Sequence, residues 1–189
     1  MKINFKNIAV IGTGVIGAGW IIRFLYNDKK VYVYDPNIKQ KKFLLSEINR
    51  TKKILKKCYK KSFNIKKNLI FCKNIKDAVK NVDLIQENVP ENEKIKIKII
   101  EQISKYTKKN SIIASSSSGL LPTKIQIKCL NPERFIIAHP FNPVYLLPLV
   151  ELVKGKKTKK LYIDKAKLFY KSIGMQTLIL KKELPGYLS

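Results

Sequence analysis

At 189 residues, 45% of them hydrophobic, the chain is long enough for one domain with its own core. No apolar run approaches the roughly 18 residues that cross a bilayer, and no cleavable apolar segment precedes the first strand pattern. The net charge of +26 suits a nucleic-acid partner in principle, but all but three of the 39 basic residues are Lys (the exceptions are Arg23, Arg50 and Arg134), which reads as a bias over the whole surface and not as a nucleic-acid site.

The chain opens on an apolar strand pattern, Ile8–Gly12, that runs directly into Gly12-Thr13-Gly14-Val15-Ile16-Gly17. A helix pattern follows with Trp20, Ile21, Phe24 and Leu25 as its apolar face, then a second strand, Val31–Asp35. Strand, glycine turn, helix, strand and terminal acid form a layout that binds a dinucleotide. Gly12 permits the sharp turn, Gly14 lets a pyrophosphate approach the backbone, and Gly17 lets helix and strand pack closely. The helix N-terminus then faces the phosphates. Asp35, twenty-three residues beyond Gly12, is placed to accept from the ribose hydroxyls. A 2′-phosphate would be repelled there and no Arg or Lys directly follows, so NAD is the expected cofactor. The bland alternative is a glycine-rich helix–strand contact.

Further along, Asn37–Lys61 reads as a long helix, Leu69–Cys72 as a strand, Asn74–Lys80 as a short helix and Leu84–Gln86 as a strand. Glu91–Tyr106 is a periodic helix with Ile95, Ile99, Ile100 and Ile103 on one side. Strands Ile112–Ser115 and Phe135–Ala138 follow, then Leu147–Val153, a helix around Tyr162–Ser172 and Thr177–Leu180. After Pro185-Gly186, Tyr187-Leu188 reads as the first residues of a helix. The alternation predicts an α/β fold, a Rossmann-type doubly wound, mostly parallel sheet, with ligands at the carboxyl ends of its strands. Cys58, Cys72 and Cys129 form no metal or redox motif and read as reduced structural thiols of a cytoplasmic protein. No metal site is expected.

The one histidine, His139, sits just past the strand Phe135–Ala138. Glu151 is isolated in the apolar run Leu146–Val153, where a carboxylate needs a partner. A His139–Glu151 dyad would fix the imidazole tautomer and leave the other nitrogen to take a proton from an alcohol. The alternatives are a structural histidine and an edge-strand glutamate paired with a lysine. Ser115 to Ser118 end another strand on the ligand side. They read either as turn-forming and capping residues before Pro122 or as hydroxyls aimed at the nicotinamide and the substrate oxygen.

The segments VIGTGVIGAGW, YDP, DLIQENVPEN, IIASSSSGLLP, NPERFIIAHPFNPVYLLPLVELV and KELPGY together resemble the 3-hydroxyacyl-CoA dehydrogenase family. HPFNPVYLLPLVE with SSGLLP is similar to the branch of it that acts on L-carnitine. The resemblance implies that His139 is the acid/base, that Glu151 orients it and that Ser118 hydrogen-bonds the reacting oxygen. It also implies that Glu91 and Lys96 lie near the cofactor, with Gly12, Thr13, Gly14, Val15, Ile16, Gly17 and Asp35. The implied reaction is NAD-dependent oxidation of a 3-hydroxyl to a ketone, on L-carnitine to give 3-dehydrocarnitine or, alternatively, on a 3-hydroxyacyl-CoA. Phe141 and Tyr145 offer aromatic faces to a trimethylammonium group, or simply pack. The segment between Asp35 and Asp83 looks shorter than in acyl-CoA-using relatives, whereas the basic surface favours an anionic substrate.

The sequence departs from the family in two respects. Where relatives usually carry Asn or Thr before the serine pair, it has Ser116 and Ser117. The family also continues past the Pro-Gly-aromatic element into a helical domain that closes the site, supplies a catalytic Asn and makes most of the homodimer contact. The expected division is therefore an NAD-binding domain over 1–184, with 185–189 as the start of the helical C-terminal domain, otherwise absent. A remnant that binds NAD without turnover is the non-enzymatic reading.

Overall fold

The computed structural model describes residues 3–59 and 65–188. It contains strand β1 (Asn7–Ile11), helix α1 (Val15–Tyr26), β2 (Lys30–Tyr34), α2 (Lys39–Tyr59), α3 (Ile65–Asn68) and β3 (Leu69–Phe71). Then follow α4 (Ile75–Val79), β4 (Leu84–Glu87), α5 (Glu93–Tyr106), β5 (Ile112–Ser115), α6 (Pro122–Ile125) and β6 (Phe135–Pro140). The last elements are β7 (Leu149–Lys154), α7 (Lys160–Ser172) and β8 (Gln176–Leu180). The end of the expected second helix, Lys60 and Lys61, the Cys58 side chain and Ser189 lie outside the described residues.

The eight strands form one sheet in the order β3-β2-β1-β4-β5-β6-β7-β8. All neighbours are parallel except β6 and β7. The order reverses between β1 and β4, which opens a crevice at their carboxyl ends. Strand β1 shows why the runs are apolar throughout. Ile8 and Val10 join one core with Trp20 and Phe24 of α1 and Phe169 of α7. Ala9 and Ile11 join the other, with Ala78 of α4 and Ile100 of α5. A strand covered on both faces has no polar side to alternate with.

Two features differ from the sequence expectations. Among Ile95, Ile99, Ile100 and Ile103, only Ile100 and Ile103 are fully buried, and Lys96 and Ser104 are the residues of α5 buried with them. Ile95 and Ile99 turn toward the crevice instead. After β8 the chain makes a turn over 185–188 and not a helix: Gly186 and Tyr187 both adopt positive φ, 76° and 55°. No described helix is long and apolar enough to cross a membrane.

Candidate active site

The glycine turn is held by contacts that only glycine tolerates. Gly12 has φ +86°, and its N–H donates to the Tyr34 carbonyl at 3.0 Å. A Cβ on Gly17 would lie 2.0 Å from the Gly12 carbonyl oxygen, inside any possible contact. Gly14, by contrast, would meet nothing within 4 Å. It is the N-cap of α1 and has no side chain to satisfy the first-turn N–H groups, so the helix end opens on solvent beside exposed Val15. Bare amides and a positive dipole end beside an empty approach are what a pyrophosphate requires.

Asp35 directly follows β2 at the rim of this space. Its Oδ2 accepts from the Thr13 N–H at 2.8 Å and the Thr13 hydroxyl at 3.0 Å, and its Oδ1 accepts from the Asn37 N–H at 2.9 Å. Thr13 thus locks the carboxylate to the glycine turn, a role its position in the motif did not disclose. A crevice of about 770 Å³ runs from Gly12, Gly14 and Asp35 to Val89, Ile95 and Ile99. Its mix of apolar wall, glycine backbone and one carboxylate fits the adenosine half of NAD.

A second cavity, about 290 Å³, shares Asn88 and Val89 with the first and is lined by Ile16, Glu91, Lys96, Ser118 and His139 among others. His139 on β6 and Glu151 on β7 face each other directly in the antiparallel register. The Nδ1 of His139 lies 2.8 Å from Glu151 Oε2, and the side chains are 15% and 1% exposed. A carboxylate so buried demands a donor. With Nδ1–H donating to it, the neutral ring carries its lone pair on Nε2. The pairing arises because only residues 141–148 join β6 to β7, too short a link for a parallel crossover.

The four serines divide between these roles. The Ser115 hydroxyl donates to the buried carboxylate of Glu87. Ser116 accepts from Trp20 Nε1 at 3.0 Å and Gln86 Nε2 at 2.8 Å, and donates to Asn88 Oδ1 at 2.8 Å. Ser117 donates to Glu91 Oε1 at 2.5 Å and accepts from the Leu120 N–H, which shapes the turn. Ser118 is exposed at the wall of the small cavity. None of them caps α6, whose N-cap is Leu121.

A charged network lines one wall of this cavity. Lys96, 1% exposed, reaches Glu87 Oε1 at 2.9 Å, the Val89 carbonyl at 3.0 Å and Glu91 Oε2 at 3.4 Å. Glu91 also accepts the Ser118 and Gly119 N–H groups at 3.0 and 3.1 Å. Burial pushes the Glu91 carboxyl up, but the Ser117 hydroxyl, the Lys96 ammonium and those two amides outweigh it and hold it below the ordinary range. The residue therefore stays ionised at neutral pH and braces the loop that carries Ser118. Glu87 escaped the sequence reading. The signal was available: Lys96 sits at helical spacing from Ile100 and Ile103, so an inward lysine needed a buried acid.

Of the two aromatics considered for a cation, Phe141 lies beside His139 with ring centroids 6.0 Å apart, whereas Tyr145 packs on the core. Burial raises the thiols of Cys72 and Cys129, the latter to about 11, so both remain protonated and poorly nucleophilic at neutral pH.

Residues 7–183 match the family model described as the NAD binding domain of 3-hydroxyacyl-CoA dehydrogenase. Among curated relatives, the L-carnitine dehydrogenase of Oceanobacillus iheyensis is 43% identical over 184 residues, covering 97% of this chain and 60% of its own length. That of Bacillus cereus is 42% identical, covering 100% and 58%. The chain thus spans about three-fifths of these relatives. Among solved structures, 5-formyl-3-hydroxy-2-methylpyridine 4-carboxylic acid 5-dehydrogenase, an NAD+-dependent dismutase, superposes with a TM-score of 0.90 at 30% identity, over 98% of this chain and 60% of its own. The glycine turn, the acid at its rim and the match over nearly the whole chain lead to one assignment: the chain belongs to the 3-hydroxyacyl-CoA dehydrogenase family and contains that family's NAD-binding domain.

Proposed function

We propose that the chain serves NAD-dependent oxidation of a secondary 3-hydroxyl to a ketone, with L-carnitine as the substrate and 3-dehydrocarnitine as the product. The observation that carries the reading is the His139–Glu151 pair at 2.8 Å on the wall of a cavity that adjoins the dinucleotide crevice. Gly12 to Gly17 would hold the pyrophosphate, Asp35 the ribose, and Glu91 and Lys96 the far wall. NAD+ bound there supplies the acceptor for the hydride that leaves the carbinol carbon. His139 Nε2 takes the hydroxyl proton and Glu151 stabilises the imidazolium that forms. The Ser118 hydroxyl donates to the substrate oxygen. Free thiols at Cys72 and Cys129 are in keeping with a reducing, cytoplasmic setting.

The names of the relatives support carnitine, and Phe141 supplies an aromatic face near the dyad, worth on the order of 0.5–2 kcal/mol for a desolvated cation. The +26 charge is the specific observation that favours a 3-hydroxyacyl-CoA, but exposed charge is screened within about 10 Å. The test compares kcat/KM for L-carnitine and for a 3-hydroxybutyryl thioester of CoA, with NADH calorimetry alongside. Carnitine should be preferred by at least tenfold. A reversed preference refutes the substrate assignment, and NADH binding without turnover of either compound supports the cofactor-binding remnant.

A further inference from the structure

Residues 183–188 form a strap that touches both halves of the site. At one end the Glu183 carboxylate accepts from the Thr123 hydroxyl at 2.6 Å and from its N–H at 3.0 Å. In the middle, the Tyr187 hydroxyl donates to the Leu120 carbonyl at 2.7 Å, which ties the strap to the loop carrying Ser117 and Ser118. At the other end the Leu188 N–H donates to Glu151 Oε1 at 3.2 Å, the oxygen not used by His139. The Tyr187 ring is buried, with its centroid 5.6 Å from the His139 ring. Its backbone is left-handed, a conformation a non-glycine residue keeps only where surrounding contacts over-determine it. Burial pushes its phenol up, so it remains a protonated donor and takes no part in proton transfer.

We propose that Tyr187 is a positioning residue for the dyad: its ring supports one side of the imidazole while the adjoining Leu188 amide anchors the second oxygen of Glu151. Both members of the pair are then fixed from the same strap. The carboxylate cannot rotate without breaking an amide hydrogen bond, and the phenol ring, 5.6 Å from the imidazole centroid to centroid, limits how far the imidazole can tilt toward it. An imidazole held to its working geometry is what a general base needs. The inference rests on the reading of His139 as that base.

Because the chain has a single histidine, the ring protons of His139 can be followed by NMR without ambiguity. In the intact chain they should be displaced by ring currents from Tyr187 and Phe141. Tyr187→Phe should retain that displacement, Tyr187→Leu should remove the Tyr187 part of it, and Glu183→Gln, which loosens the strap without touching the dyad, should reduce it. Where turnover is measurable, Tyr187→Leu should lower kcat by roughly 10²-fold, the loss that about 1 Å of misplacement brings. KM and NADH affinity should hold, and Tyr187→Phe should restore most of the rate. Histidine signals that do not move in Tyr187→Leu or Glu183→Gln overturn the proposal. So does a rate loss that Tyr187→Phe does not restore. Absence of turnover in the unaltered chain would count against the enzymatic reading alone, and the NMR arm would still decide whether Tyr187 fixes the ring.

Discussion

Replacing His139 with glutamine should lower turnover by roughly 10²–10⁴-fold, the usual contribution of a positioned general base, while NADH affinity stays within a factor of two or so. The choice of glutamine matters. Glu151 is 1% exposed and takes its side-chain donor from Nδ1. Alanine would take the imidazole donor from Glu151 Oε2 while the Leu188 amide still meets Oε1, and the loss of one donor to a buried group costs about 1–3 kcal/mol. A loss of activity would then be hard to separate from a loss of fold. Glutamine presents an amide N–H to Glu151 but has no basic nitrogen. Steady-state kinetics, NADH calorimetry and chemical unfolding on the same preparation distinguish the cases. If NADH binding and stability fall together with the rate, His139 is a structural residue of the β6–β7 pair. If the rate is unchanged, it is not the base.

The second large effect is expected at Gly17. An added methyl would sit 2.0 Å from the Gly12 carbonyl oxygen and 3.0 Å from its carbon. Both are backbone atoms of the turn, so no side chain can swing aside, and the turn or α1 must move. Overpacking of this kind costs about 1–3 kcal/mol, occasionally more. The shift also carries the helix N-terminus away from the phosphate position, so NADH affinity should drop at least tenfold, about 1.4 kcal/mol. Gly14→Ala is the informative partner. Its methyl meets nothing within 4 Å, and the residue has an ordinary φ of −62°. Stability should hardly change, while NADH affinity falls because the methyl occupies the approach to the amides. Equal unfolding midpoints for Gly17→Ala and the unaltered chain would contradict the packing argument, and undiminished NADH binding by Gly14→Ala would contradict the placement of the pyrophosphate.

The parts of this site that could be read from sequence are those where residue type and spacing are set by one local element. Gly12, Gly14, Gly17 and Asp35 belong to a single strand–turn–helix–strand unit, and the glycine contacts follow from its geometry. His139 and Glu151 could be paired as the isolated polar residues in adjacent apolar runs. That they meet face to face depends on β7 running antiparallel to β6, and an apolar run does not state its direction. The inward face of α5 is hidden in the sequence because isoleucines flank it on both sides. Ile95 and Ile99 face the crevice, and Lys96 is drawn in by Glu87, which lies nine residues earlier at the end of β4 and outside the helix period of α5. Tyr187-Leu188 reads as the start of a helix because Tyr187 is an unusual residue for a left-handed turn. Tertiary contacts hold it there: its own with Leu120 and His139, and those of Glu183 with Thr123 and Leu188 with Glu151 on either side.

Coenzyme bound at the glycine turn is expected to lie against the imidazole of His139. Diethyl pyrocarbonate modifies accessible unprotonated imidazole, and with one histidine in the chain the modified residue is unambiguous. NADH should slow carbethoxylation of His139 in a saturable way, with a midpoint equal to the calorimetric dissociation constant. Heat of NADH binding with no protection of His139, or no heat at all, would contradict the account.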